Sequence, residues 1–481
     1  MDDAIFNARK TYEGTGRSMA MGNAMGALGG DITAVCVNPA GLGLYRKGEF
    51  TFSTGLQHNL SLSSDFGNNT LRGKANVSIP NTGYVGTIQW SNYRPLRYMQ
   101  FAIGLTRTND YSYHADAQGL NPNSSMMDAY LQTIDGIDEL FDPSLYNPGD
   151  YLSENYPYDL HPAWETYLID RFHDSAGYFY NSPIPQGNLH QRNEVNSKGR
   201  SEEWTFALSA NYFDKLYLGA SMGLTHLKRS LVRTYTETPG NPNAPDNTFN
   251  EWSFMEELDI AGWGINFKCG IVYHPARWLR IGAAWHSRTR YALDETWSTT
   301  TEARLLSNHQ EDYHKHLSPT AYNDYDFKSP HTFIGSLAFF LGSRGLLTTD
   351  VEYLNYGSSR FYSNTMSFNN TNNELDRLLK STFNIRVGTE WRLRQYFIRG
   401  GLAYYGSPYG FGENDGSVKK LALGIGYATH DDTYWDFAYE LTETSTLYTP
   451  YSYYVDGVNI AGDIMQRQLR NKFIVTLKVK I

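Results

Sequence analysis

The sequence has no run approaching the 18 or so consecutive apolar residues that a helix needs to cross hydrocarbon. A helical membrane protein is thereby excluded. Cysteine is almost absent: Cys36 and Cys269 are the only two in 481 residues, so no disulfide framework holds the fold, and both read as small apolar residues. Clustered positive charge is lacking too. The 41 Lys and Arg are scattered among 50 Asp and Glu, for a net charge of −9, which argues against a nucleic-acid partner. There is no GxGxxG, no Walker loop and no paired CxxC. No nucleophile, base and orienting group fall together, so neither an enzyme nor a cofactor is expected. The opening MDDAIFNARK lacks the apolar core of a secretory signal, so if the protein is exported this is its mature form.

What the chain does have is aromatic residues (15%, with 37 Tyr, 24 Phe and 10 Trp) and 43 Gly, at a mean hydropathy of −0.50. A transmembrane β-barrel reconciles these, because only every second strand residue faces lipid and the others can be polar. Period-two alternation runs through most of the chain. Met99, Phe101, Ile103 and Leu105 share one face of a run over 97–115, following runs over 49–60 and 75–91. Trp204, Phe206 and Leu208 lead through Phe213-Asp214-Lys215 into Leu216, Leu218 and Ala220. Further pairs lie at 262–273 with 279–286, 325–342 with 345–362, 380–394 with 395–408 and 418–430 with 432–447. The chain closes on Phe473, Val475, Leu477, Val479 and Ile481. The expected fold is all-β: an antiparallel transmembrane barrel of about 14 strands, with short turns at one end and long loops at the other. Sandwich strands are typically five or six residues, far shorter than these runs.

Two stretches do not alternate. Residues 17–45, RSMAMGNAMGALGGDITAVCVNPAGLGLY, are small and glycine-rich, and read as a folded insert that needs a container. With Gly29, Gly30 and Asn38-Pro39-Ala40 at its centre, residues 1–46 are expected to plug the barrel formed by 47–481. The other is 116–199, expected as a long extracellular loop insertion. Met127, Tyr130, Leu131, Ile134, Ile137 and Phe141 follow three-and-four spacing there, and Trp164, Leu168 and Phe172 mark a second helix. These apolar faces pack on each other or the rim, or offer a groove to a hydrophobic ligand.

Some polar signals read blandly. Ser221 sits in a GxSxG string, but mid-strand, where no nucleophile elbow can form. His309, His314 and His316 lack the spacing of a metal motif, Asp135, Asp138, Glu139 and Asp142 read as a solvated helix face, and no metal is expected. More telling are charges on the face opposite the lipid: Lys268, Arg280, Asp350, Glu352, Arg386, Glu390, Arg399, Asp436 and Glu440. Enclosed charges should pair. The alternative is that an unmatched Lys268, Arg280 or Arg399 holds the carboxylate of an amphipathic ligand.

The opening GRSMAMGNAMGALGGDITAVCVNPAGL and the later strings RVGTEW, IRGGLAYYGSPYG and GIGYATHDDTYWDFAYEL resemble the FadL/TodX family of outer-membrane transporters of long-chain fatty acids and hydrocarbons. The resemblance implies a fourteen-stranded barrel, an N-terminal hatch, and passage of hydrophobic molecules through a lateral opening beside a kinked strand. It places the protein in the bacterial outer membrane, with both termini periplasmic. Its partners are then outer-membrane lipid and a hydrophobic small molecule. Some relatives of this fold serve as non-transporting subunits or scaffolds of secretion and assembly complexes. Tyr-rich loops such as 438–454 would suit such protein partners.

Overall fold

The computed structural model describes residues 2–90, 94–138, 147–175, 177–307, 310–412 and 414–481. Fourteen antiparallel strands form the wall in chain order: β1 Glu49–Asp65, β2 Asn68–Gln89, β3 Leu96–Asp110, β4 Leu189–Tyr212, β5 Leu216–Pro239, β6 Phe249–Ala276 and β7 Leu279–His286. They continue as β8 Thr332–Leu341, β9 Gly345–Asn355, β10 Ser381–Leu393, β11 Tyr396–Tyr405, β12 Val418–Ala428, β13 Thr433–Tyr448 and β14 Ile464–Lys480. Each pairs with the next, and β14 returns to β1 over Glu49↔Lys480 to Ser64↔Met465. No free edge remains to the ring as a whole, which is what a sheet in lipid requires.

The alternation read from the sequence is the inside–outside pattern of this wall. In β1, Phe50 and Phe52 are exposed while Thr51 and Ser53 are buried. The same holds for Ile265 and Phe267 against Asn266 and Lys268 in β6. Cys269 lies on the outer face and Cys36 is buried, both as free thiols. Among the described residues no helix is long and apolar enough to cross a membrane.

Several boundaries differ from those expected. The run 325–342 is two strands, Ala321–Lys328 and β8, parted at Ser329-Pro330-His331. The chain also breaks at Ser287-Arg288-Thr289, beyond which Arg290–Ser307 continues along β6. At both breaks the buried face changes parity: Gly282, Ala284 and His286 give way to Tyr291 and Leu293, and Tyr325 and Phe327 give way to Ile334 and Ser336. The insertion is shorter than 116–199: residues Tyr113–Asn121 pair with β4, which itself starts at Leu189.

Residues 2–45 lie inside the ring as α1 Asp2–Ala8, α2 Gly16–Ala20, α3 Ala34–Val37 and a 3₁₀ turn Pro39–Leu44. Lumen-facing glycines let them approach. A Cβ at Gly401 would strike the backbone of Met21 and Gly22, one at Gly388 that of Met21, one at Gly219 that of Pro39 and Ala40, and one at Gly282 that of Gly26. These contacts are with backbone, which cannot swing aside. Gly400, on the lipid side of the same strand, has nothing closer than 3.8 Å. Gly401→Val is therefore expected to lower barrel stability by about 1–3 kcal/mol through overpacking, and Gly400→Val to leave it nearly unchanged. The temperature at which the folded band is lost on heat-modifiable gels checks the pair.

Candidate lumen site and wall gap

β2 and β3 pair only from Gln89↔Tyr98 to Asn81↔Thr106, although β2 continues along β1 to Asn68. Pro80 explains the parting on one side, since it has no N–H to give a ladder. On the other side β3 carries an irregularity between Arg107 and Asn109 in its register with β4. The carbonyls of Arg107 and Thr108 accept instead from Glu13 N (3.0 Å) and Thr11 N (2.9 Å) of the N-terminal segment. Above this point side chains span the space between β2 and its neighbours. Asn76 Nδ2 donates to Asp110 Oδ2 at 3.1 Å, Lys74 Nζ to Asn196 Oδ1 and Ser197 O at 2.8 Å each, and Arg72 Nη2 meets Asp116 Oδ2 at 2.5 Å. Outside, Val77 is 76% exposed and Ile79 49%. Wall backbone that is unpaired here has to be satisfied by side chains or water.

A cavity of about 230 Å³ lies in the lumen at the β3 side of this gap, where Asn109 and Asp110 line it. Its walls come from α1 (Ile5, Phe6, Arg9), from Asn109, Asp110 and Tyr111 at the departure of β3, and from β5, β12, β13 and β14. Phe6 sits under the Arg229 guanidinium at 4.6 Å and edge-on to Tyr111 at 6.4 Å. Asn109 holds α1 in place: Nδ2 donates to Arg9 O at 2.6 Å, and Oδ1 accepts from Thr11 Oγ1 at 2.9 Å. Arg9 Nη2 anchors the far side on Gly416 O at 2.8 Å.

Below the cavity the segment is fastened by charge. A chain of ion pairs runs Arg17–Glu390–Arg399–Asp436–Lys478–Asp31, with contacts of 2.9, 2.6, 2.5, 3.1 and 2.6 Å. Its two ends belong to the segment and its middle to β10, β11, β13 and β14. Lys268 pairs with Glu203, Arg386 Nη2 with Glu352 at 3.1 Å, and Lys420 with Glu440 at 3.0 Å. The alternative in which Lys268 or Arg399 stands unmatched is thus corrected by Glu203, Glu390 and Asp436. Arg280 has no ion pair among the described residues; its Nη1 donates to Leu28 O at 3.0 Å and its guanidinium lies 4.5 Å from the Phe340 ring.

Asn38 acts as a pin. Its Nδ2 donates to Gly26 O at 2.8 Å and reaches Ile271 O on β6 and Ala283 O on β7, while its Oδ1 accepts from Ala40 N at 3.1 Å. Pro39 opens the 3₁₀ turn and Ala40 packs against Tyr217 and Val272. Gly29 and Gly30, both at positive φ, turn the chain so that Gly30 O accepts from Arg17 Nη1 at 3.0 Å.

The long-loop end is covered by a cap built from α4 Met126–Asp138, α5 Pro148–Asn155 and α6 Leu160–Glu165. Met127, Ile134 and Leu168 are buried in its core, with Tyr130, Leu131 and Trp164 partly buried and packed on it. The second helix ends at Glu165, and Phe172 lies instead on the hairpin Asp170–Asn181, stacked on Phe179 at 5.6 Å. Phe141, Glu139, Asp142 and His309 fall outside the described residues. Glu237 centres the cap, accepting from Ser125 Oγ, Met126 N, Gln191 Nε2, Tyr235 OH and Trp252 Nε1 at 2.6–3.0 Å. Burial pushes its carboxyl up, against the pull of these donors. Among the described residues no three His, Cys, Asp or Glu side chains gather as metal ligands. A second cavity, of about 310 Å³, lies under the cap; Tyr130 is the one of the seven expected ligand residues that lines it.

The profile of the outer membrane protein transport family (OMPP1/FadL/TodX) matches residues 195–450. The chain belongs to this family. Among solved structures, a FadL homologue of Pseudomonas aeruginosa is 13% identical, with 97% of each chain covered and a TM-score of 0.56. The Pseudomonas putida toluene transporter TodX is 14% identical, over 96% of this chain and 98% of that one, with a TM-score of 0.53. These likenesses carry the FadL/TodX fold across the whole chain. Curated protein sequences give no match. The protein is therefore an outer-membrane barrel of a transport family.

The cavity residues were not singled out in the sequence, yet a signal exists. In the run 97–115 the stretch Thr106-Arg-Thr-Asn-Asp110 puts polar residues on both faces of a strand, which marks where β3 leaves the wall. For the pin, Asn38→Ala removes donors from Gly26 O and Ile271 O. Amides of residues 26–44 are expected to exchange faster by an amount equivalent to about 1–3 kcal/mol, with the wall strands unchanged in hydrogen–deuterium exchange.

Proposed function

We propose that this FadL/TodX-family barrel passes hydrophobic small molecules of the long-chain fatty-acid type across the outer membrane without a cofactor. The observation that carries the reading is the lumen cavity lined by Asn109 and Asp110, where β3 has parted from β2. Membership of the family and the likeness in fold to TodX, a toluene transporter, support the hydrophobic cargo.

In this reading the short-turn end faces the periplasm, and Ile481 lies there, bonded through its N–H to Gly48 O. The N-terminal helix instead sits in the lumen, against Leu227 and Ile260 well above the turns. Residues 1–46 act as the plug. Cargo is captured beneath the cap near Tyr130, moves to the cavity beside Phe6, and leaves sideways between β2 and β3. Transfer of its apolar surface from water supplies the drive, at roughly 25 cal/mol per Å² buried. The ion-pair chain and the Asn38 pin favour this route over displacement of the plug, because breaking a buried pair costs about 3–5 kcal/mol.

The test closes the gap. In a chain with Cys36 and Cys269 replaced by alanine, Asn76→Cys and Asp110→Cys are bridged by a short bis-methanethiosulfonate, which joins them through two reducible disulfides. Uptake of labelled fatty acid into proteoliposomes is expected to fall about tenfold and to recover on reduction, as gating by a positioned wall predicts. Unchanged flux with the bridge in place would send the cargo another way. A wild-type protein that neither binds nor passes the fatty acid would end the transport reading, and a stoichiometric protein partner retained in mild detergent would replace it with the scaffold one.

A further inference from the structure

The lumen cavity and the cavity beneath the cap meet at two residues, Arg233 of β5 and Tyr448 of β13, which line both. The Arg233 guanidinium lies 4.7 Å from the centre of the Tyr448 ring. Its Nη1 makes an ion pair with Glu256 Oε2 at 3.1 Å. Its Nε–H is buried and has no hydrogen-bond partner. Beside it in the outer cavity lies the buried Asn193 amide, whose side-chain interaction is with the Tyr448 hydroxyl.

Buried donors without acceptors are costly, about 1–3 kcal/mol each, and persist where something else supplies the acceptor. A guanidinium offers five N–H groups in a planar fork suited to a carboxylate. Glu256 takes only Nη1, and the Tyr448 ring covers a face without accepting a hydrogen bond. Most of the remaining lining of the outer cavity is aromatic, including Tyr130, Phe254 and Trp297, with Met126, Pro450 and Asp159 completing it. An anionic oxygen at the end of an apolar body therefore fits the waist, with the body among the rings and the oxygens on Arg233 Nε and the Asn193 amide.

We propose that Arg233 is the specificity-determining residue at the waist between the two cavities, selecting amphipathic carboxylates over neutral molecules of the same length, with Tyr448 as the ring the ligand displaces. This rests on the transport reading of the two cavities. Neither residue belongs to the ion-pair chain or the pin that fastens the N-terminal segment, so their substitution leaves that fastening in place.

The experiment is equilibrium binding of radiolabelled dodecanoate, at alkaline pH where it is ionised, and of dodecanol, to the full-length protein in amphipol. Heat-modifiable mobility confirms a folded barrel in each variant. Arg233→Gln is expected to weaken dodecanoate by about tenfold or more, the worth of a charge-assisted hydrogen bond, while dodecanol stays within about twofold. Arg233→Lys is expected to recover part of the loss, and Tyr448→Ala to change both probes alike. A fall shared equally by both probes in Arg233→Gln, or no fall in either, overturns the assignment. If the wild type binds dodecanol and not dodecanoate, the assignment fails and the transport reading stands; if it binds neither, both fail.

Discussion

Backbone hydrogen bonding is the constraint on which the molecule is built. In hydrocarbon an unpaired N–H or C=O has no water to turn to, so a sheet that spans a bilayer has to close on itself. Thirteen of the fourteen seams do so along the whole of the shorter strand or nearly so; the β2–β3 seam stops at Asn81↔Thr106, with β2 running on to Asn68 and β3 to Asp110. The compensation for this parting is local. Pro80 withholds a donor, the N-terminal segment supplies two N–H groups to Arg107 and Thr108, and Asn76, Lys74 and Arg72 reach across with side chains. Side chains can swing aside where a ladder cannot, which makes this the one seam with a soft closure.

A second consequence concerns the lumen. A ring of fourteen strands is wider than its own side chains can fill, so the interior needs a separate filling. Glycine on the inner face of β5, β7, β10 and β11 lets the N-terminal backbone pack against the wall backbone, and ion pairs fix the register between them. The two devices are complementary. Close packing provides area without direction, while Arg17 on Glu390 and Lys478 on Asp31 specify one placement. Each pair is buried, so the pairs act as locators more than as sources of net stability.

The barrel and the inner charges were legible because both follow from period-two alternation, which survives in the sequence whatever the strands pair with. Phe50 against Thr51 and Phe267 against Lys268 are read without any knowledge of neighbours. The N-terminal insert was legible by contrast, as glycine-rich chain with no strand face to occupy. Its place inside the ring carried the Asn38 pin with it, but the partners Ile271 and Ala283 lie more than two hundred residues away and leave no local mark. The cap was half legible: α4 follows its apolar spacing, whereas Leu168 and Phe172 continue a helical count past the point where the chain turns into a hairpin. Spacing finds an apolar face but does not say whether cargo or another protein segment covers it. Trp252, Tyr235 and Phe249 from the wall cover this one.

The cavity was least legible, and for a physical reason. Its lining comes from α1 and from six separate strands, β3, β4, β5, β12, β13 and β14, and includes a break in alternation that is, taken alone, an imperfection of a strand. Tyr111 and Asn109 sit where β3 stops obeying the wall; Phe6 and Arg9 sit in a stretch whose polarity says only that it is not a strand. The same imperfection does two things at once. By leaving β2, β3 opens the wall, and by bending into the lumen it presents Asn109 to α1, so that the helix lining the cavity is held by the strand whose departure makes the gap. Displacement of α1 by a bound molecule would release Asn109 and, through Thr11 and Glu13, the carbonyls of Arg107 and Thr108. The ion-pair chain and the Asn38 pin lie outside that set. A motion at the N-terminus can therefore reach the soft seam through the six hydrogen bonds that join residues 6–13 to Arg107, Thr108 and Asn109, while the ion pairs of Lys10 with Glu203 and of Glu13 with Lys472 set how far it travels.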